Sequence, residues 1–280
     1  MHKESHAFRE GRPPVNVSVN VMLEGWGDDE APGLGPMGNP LRAGVLDLQA
    51  RSWAAYGPEK GAWRLLDLLA SRNIKASFYT SGIVAERYPG LMREIAQAGH
   101  DVCGHSWTQN TLPAYLDHEA ELADIQRCTE VIRSATGTSP VGWISPRCTP
   151  SAATSELLAQ SGYRWHADIF DTDLPYSMRF GDHTIVALPF SMEINDLPMS
   201  VRYGNEPSAF VASVKHTLWN WHRIGSPEVC LDVTVHAHVY GRPAGAIALI
   251  ETLDFIASCP DIASYTSHAE LAHLEASRRR

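Results

Sequence analysis

One feature constrains this 280-residue chain more than any other: from Val15 almost to the C-terminus, strand-like and helix-like segments alternate. VNVSVNVML has the β-branched content of a strand, and KASFYTSG, HDVCGH, VGWIS, YRWHADI, TIVALPF and VCLDVTVH repeat the pattern further along. Helical segments stand between or after them. One is expected over Glu59 to Ser71, with Trp63, Leu66 and Ala70 on one face. Another is opened by Pro89 and closed by Gly99. A third runs from His118 to Ala135, with Asp117 as N-cap, a stripe of Leu122, Ile125, Thr129 and Ile132, and Gly137 as its stop. SAATSELLAQ, the stretches Pro207 to Arg223 and Pro243 to Ser258, and a last helix with the capping box Ser267 to Glu270 complete the series. Such alternation predicts a parallel sheet with helices outside it, either a barrel or a doubly wound sheet. The expected organisation is one α/β domain over residues 15–275, after a flexible lead of residues 1–14.

A hydrophobic content of 44% is enough for a sizeable core. With 23 Lys and Arg against 32 Asp and Glu, the net charge of -9 argues against nucleic acid or an anionic membrane as partner. The basic run Arg278 to Arg280 reads as a solvated tail. Five dispersed cysteines without C-x-x-C spacing point away from a zinc ribbon or a disulfide framework. A reducing cytoplasm is the expected location, since MHKESHAFREGRPPV lacks the apolar core of a signal peptide and no run reaches the ~18 apolar residues of a membrane span. Residues Gly27 to Gly44 are too rich in Gly and Pro for a regular element, and so long a loop suggests function.

Polar side chains recur where the strands end, the edge at which parallel α/β folds open their active sites. Glu24, His105 and Arg147 follow the first, third and fourth strand segments. Asp168, Asp171 and Asp173 follow YRWHADI, Glu193, Asn195 and Asp196 follow ALPFS, and His236 and His238 end DVTVHAH. A lone strand-end His or Asp is more often a loop cap, Arg147 an ion-pair partner, and Trp26, Trp107 and Trp143 ordinary packing. Agreement among so many strands gives the functional reading its weight.

These segments together resemble the polysaccharide deacetylase (NodB-homology) family, and most of all its allantoinase-like, cyclic amide hydrolase branch. The resemblance spans nearly the whole chain. It rests on LEGWG, ERYPGLMREIAQAGHDVCGHSW, TGTSPVGWISPRCTPSAATSELL, DTDLPY, ALPFSMEINDLPMS and TVHAHVYGRPAGAIALIETLDFI. It implies an irregular (β/α) barrel, commonly described with seven strands. It also implies that the deacetylases hold a divalent metal through an Asp of the first strand motif and the two His of H-x-x-x-H. Here SVNVMLEGW carries Asn20 and Met22 where an Asp is expected, with Glu24 as its carboxylate, and the H-x-x-x-H stretch runs from His105 to Gln109. Amide oxygen and thioether are poor zinc donors, so no metal of the family type is expected. A variant zinc site from Glu24, His105 and His236 or His238 is the alternative, and the allantoinase-like members are described as working without metal.

The resemblance and the chemistry of amide hydrolysis together assign roles. A water must be activated, an oxyanion steadied and the leaving nitrogen protonated. Glu24 is the expected base or water-orienting carboxylate, and His105 the group that binds the water or a carbonyl. Arg147 positions the substrate or supports a carboxylate, and His236 protonates the leaving nitrogen. Trp26, Trp107, Trp143, Asp171, Asn195 and His238 are the expected substrate contacts. A ring with a good leaving nitrogen suits a site without metal, so the expected substrate is a small cyclic amide or imide of allantoin, hydantoin or imide type. A metal-dependent N-deacetylase of a carbohydrate or peptidoglycan fragment, and a non-catalytic binding protein, are the rival readings. A homo-oligomer, dimer or tetramer, is expected.

Overall fold

The computed structural model describes residues 13–278 apart from 39 and 43. Most of the expected lead, residues 1–12, and Arg279 and Arg280 of the basic run lie outside the described residues. The seven segments read as strands are β1 (Val15–Leu23), β2 (Ser77–Thr80), β3 (Asp101–Gly104), β4 (Gly142–Trp143), β5 (Trp165–Ile169), β7 (His183–Pro189) and β8 (Val229–His236). They form one parallel run in the order β7-β5-β4-β3-β2-β1-β8. Two further strands were not expected. β6 (Tyr176–Phe180) makes a hairpin with β7 through Gly181, and β9 (Ala263–Tyr265) pairs with the first residues of β1. A single parallel bridge from Asn195 to Thr234 joins the chain beyond β7 to β8, and the Thr234 amide donates to Ile194 O. The curled sheet is thus the irregular seven-stranded barrel type in one domain, as the resemblance implied.

Alternation in β1 divides the interior in two. Val15, Val17, Val19, Val21 and Leu23 belong to the outer core with the helices, whereas Met22 belongs to the barrel interior with Tyr79, Cys103, Ile144, Trp165 and Phe190. Both faces of a barrel strand are buried, which explains why all nine β1 residues are inaccessible. Helix α9 (His268–Ser277) sends Leu271, Ala272 and Leu274 into that interior cluster, and its Ser267 cap accepts from the Glu270 amide at 3.2 Å.

The helices follow the caps read from sequence, with one correction. α5 (His118–Thr136) begins at Asp117, whose side chain accepts from the Ala120 amide at 2.9 Å, and ends at Gly137 with φ 82°. The helix expected over 59–71 is instead α1 (Leu48–Tyr56), a π-helical turn at Gly57–Gly61, and α2 (Ala62–Ala70). Trp63 and Ala70 are exposed, while Ala62, Leu65, Leu66 and Leu69 face the core. The wide turn shifts the register of the buried stripe. Its cause is close packing: a Cβ on Gly61 would overlap Ala237 O, so this glycine lets the turn lie against the end of β8. Among the described residues no helix is long and apolar enough to cross a membrane.

Candidate active site

At the C-terminal ends of β1, β3 and β8 one carboxylate meets three imidazoles. Glu24 Oε1 lies 3.6 Å from His236 Nε2 and 3.9 Å from His105 Nε2, and Glu24 Oε2 lies 3.8 Å from His238 Nε2. These separations are longer than hydrogen bonds and leave the facing atoms free to turn to a group in the adjoining cavities. Burial by itself raises the Glu24 pKa. The surrounding histidines, His236 foremost, outweigh it and hold the carboxyl near 2. So acidic a carboxyl stays ionised at neutral pH and is a weak base.

Each histidine is fixed differently. His236 Nδ1 sits 2.6 Å from Asp196 Oδ1, and Asp196 Oδ2 also accepts from the backbone amides of His236 (2.8 Å) and Tyr240 (3.2 Å). Burial lowers the His236 pKa, but Asp196 and Glu24 on its two sides more than reverse this, so the imidazolium persists above the ordinary value. Asp196 is itself raised by burial, and the pair retains its proton more firmly than either group in water. His105 Nδ1 is 2.6 Å from Ile144 O. A carbonyl can only accept, so Nδ1 carries a proton and Nε2 is turned toward Glu24. His238 is lowered to about 3 by burial and stays neutral, held edge-on by Trp53 and Trp26 at 4.4 and 5.8 Å between ring centroids.

Two connected cavities open onto these groups. One of about 240 Å³ is lined by Glu24, Trp26, Trp53, Gln109, Arg147, Arg202 and His238, with Pro32, Gly33 and Leu34 from the long loop. The other, of about 90 Å³, lies between His105, His236, Asn195 and Arg202, with Met22, Ile144, Phe190 and Leu197 as apolar walls. Pro32, Gly33 and Leu34 of the long loop therefore wall the site. Arg147 reaches both cavities from a turn in which Arg147 and Cys148 take left-handed φ of 55° and 52°. That turn is pinned by the buried Asp168, which accepts from Ser145 N at 2.8 Å and Ser145 Oγ at 2.9 Å. Burial pushes Asp168 up to about 6 despite those bonds.

Seven of the ten residues singled out from sequence converge here: Glu24, Trp26, His105, Arg147, Asn195, His236 and His238. Three do not. Trp143 is wholly buried in the outer core, edge-on to Tyr163 and against Gly104, because β4 turns it away from the barrel interior. Trp107 packs under the Arg127 guanidinium, 3.3 Å from its ring, on the helical side of β3. Asp171 is exposed in the loop after β5 and interacts with Tyr176. Arg147 supports no carboxylate of the chain, since no ion pair joins it to one among the described residues. Asp196, Arg202 and Trp53 complete the site; Asp196 stood among the strand-end polar residues without an assigned role, and Arg202 and Trp53 were missed. Asp196 had a signal in E-I-N-D, whereas Arg202 and Trp53 carry none that spacing reveals.

The metal implied by the resemblance does not match these donors. Gln109 turns its Nε2 to Ser81 Oγ at 3.1 Å, and Asn20 donates to Asp232 Oδ1 at 2.9 Å, deeper in the barrel. Among the described residues no group of three or more His, Cys, Asp or Glu is placed to hold a metal ion.

Comparison with known proteins agrees with this architecture. A family model described as polysaccharide deacetylase matches residues 55–166. The peptidoglycan deacetylase of Helicobacter pylori is 23% identical over 219 residues, covering 67% of this chain and 74% of that protein. The crystal structure of a probable polysaccharide deacetylase from Pseudomonas aeruginosa superposes with a TM-score of 0.86 at 23% identity, covering 98% of this chain and 94% of that one. Puue allantoinase superposes with the same TM-score at 22% identity, over 99% and 95% of the two chains. The matched segment contains β2 to β4 with His105 and Arg147, and the likeness of fold extends to both ends of the barrel: residues 55–166 match the polysaccharide deacetylase model, and the chain as a whole shares the fold of these hydrolases.

Proposed function

We propose that the protein hydrolyses a carbon–nitrogen bond of a small cyclic amide or imide without a catalytic metal. The observation that carries this reading is the division of labour around Glu24. One imidazole, His236, is paired with Asp196, which favours its protonated form, another, His105, has Nδ1 on Ile144 O and Nε2 toward Glu24, and Gln109 stands where the family has its second metal histidine. Water held between Glu24 and His105 attacks the ring carbonyl and gives a proton to His105 Nε2. As the ring C–N bond breaks, His236 Nε2 delivers its proton to the departing nitrogen, and the ring opens to a carboxylate. Arg147 orients the ring, with Trp26 and His238 as walls. A cavity of about 240 Å³ favours a compact ring over a polymer, because it falls below the roughly 300–1,000 Å³ usual for drug-sized ligands.

The test is a screen of hydantoins, allantoin and cyclic imides beside N-acetylated sugars and peptidoglycan fragments, with and without chelator. Ring opening that survives chelation, in protein with substoichiometric metal, is the expected result. Loss of activity on removing stoichiometric metal, with turnover only of N-acetyl sugars, would instead establish the metal-dependent deacetylase. Binding of rings without turnover would establish the non-catalytic homologue.

A further inference from the structure

Arg147 and Arg202 line both cavities, and each does so beside Glu24 and Leu197, where the two cavities meet. Neither has a carboxylate partner in the chain among the described residues. Several other arginines are occupied, Arg72 with Asp254, Arg87 with Asp28, Arg133 with Glu130, and Arg242 on His238 O and Trp53 O. The only acid lining these two cavities is Glu24, and its charge already faces the imidazolium of His236. The cavity therefore carries excess positive charge in a chain whose net charge is -9.

Nothing in ring opening requires two guanidinium groups. A single oriented donor can align a carbonyl, whereas planar forks from two directions match the two oxygens of a carboxylate. The Arg147 side chain is held in place by a turn with left-handed backbone pinned by Asp168, and Arg202 ends the turn Leu197–Arg202 just beyond Asp196. We infer that Arg147 and Arg202 form a carboxylate-binding subsite, and that the ring substrate bears an anionic carboxylate substituent directed to them. This rests on the cyclic amide reading for the ring but not for the anion.

The probes are hydantoin-5-acetate and its uncharged counterpart hydantoin-5-acetamide. Their affinities for wild-type protein, Arg202→Gln and Arg202→Lys are to be measured by calorimetry, with ring opening followed separately. Wild-type protein is expected to prefer the acetate by roughly tenfold to a hundredfold, the range of hydrogen bonds to charged groups. In Arg202→Gln the preference should collapse to within about threefold, and Arg202→Lys should recover part of it. Equal affinity of the wild type for the two probes, binding of neither, or a preference that persists in Arg202→Gln would overturn the subsite. A preference that collapses in the variant while neither ring is opened would keep the subsite and remove the cyclic amidase reading. Ring opening of both probes with equal affinity would do the reverse.

Discussion

The barrel holds two buried clusters of the same residue types, and they behave differently. Deep in the interior, Asp232 Oδ1 lies 2.8 Å from His268 Nε2 and accepts from Asn20 at 2.9 Å, while Tyr79 Oη lies 2.5 Å from His268 Nδ1 and Asp232 Oδ2 accepts from the Ser191 amide at 2.8 Å. Both His268 nitrogens are used, and neither Asp232 nor His268 lines either of the two cavities described. At the C-terminal edge Glu24, His105, His236 and His238 face one another across 3.6–3.9 Å, with open space beside them. The difference teaches that a buried acid–histidine cluster is a reactive site when its donors and acceptors are left short of one another, and a rivet when they are closed.

Substitution separates the two. His236→Ala is expected to reduce kcat by about a hundredfold to ten-thousandfold, the range for loss of a general acid, with the folded structure retained by circular dichroism. A loss below about twofold would mean that the open cluster is no more catalytic than the closed one. His268→Ala should act on stability, because it leaves Asp232 and Tyr79 buried without the imidazole that bridges them. Denaturant titration should register a loss of about 1–3 kcal/mol, with kcat of the folded fraction within about twofold of wild type. A large kcat effect with unchanged stability would invert the assignment of the clusters.

The smallest expected effect is that of pH. His236 must be protonated to donate, and Asp196 and Glu24 raise its pKa, so kcat/KM should fall about tenfold per unit as pH rises past that raised pKa, later than an ordinary imidazole would give. Glu24, held near 2, contributes no loss on the acid side until well below pH 4. Asp196→Asn should bring the alkaline fall to lower pH by removing the group that raises His236. An alkaline limb that stays in place in this variant would disconnect Asp196 from the proton on His236.

Much of the barrel was legible because its cause is local. Alternation marked all seven parallel strands, and Asp117, Gly137 and Ser267 bounded helices by capping chemistry that needs no tertiary information. β6 and β9 were not legible, since both are short pieces whose pairing depends on β7 and β1 already being in place. The π-helical turn at Gly57–Gly61 was hidden for a similar reason: its cause, Ala237 O, lies far along the sequence. In the site, the strand-end rule found Glu24, His105, Arg147, His236 and His238. It misassigned Trp143 and Trp107 because residue type does not say which face of a strand an indole takes. It missed Arg202 because that side chain reaches the cavity from an irregular turn with no period to read.

The single bridge from Asn195 to Thr234 has a further consequence. Six of the barrel's seams join strands, from the eight-residue ladder of β1 with β8 to the single pair Gly104–Trp143 of β3 with β4, and in the long ladders a change of register would move every side chain to the other face. The seventh is a clasp, fastened by one bridge and by Ser191 against Asp232, and the stretch that forms it carries Asn195, Asp196 and Arg202. Insertions or exchanges there can reshape the pocket without disturbing the register of the hoop. The acid partner of His236 and the substrate-facing Arg202 thus share the part of the ring freest to diverge.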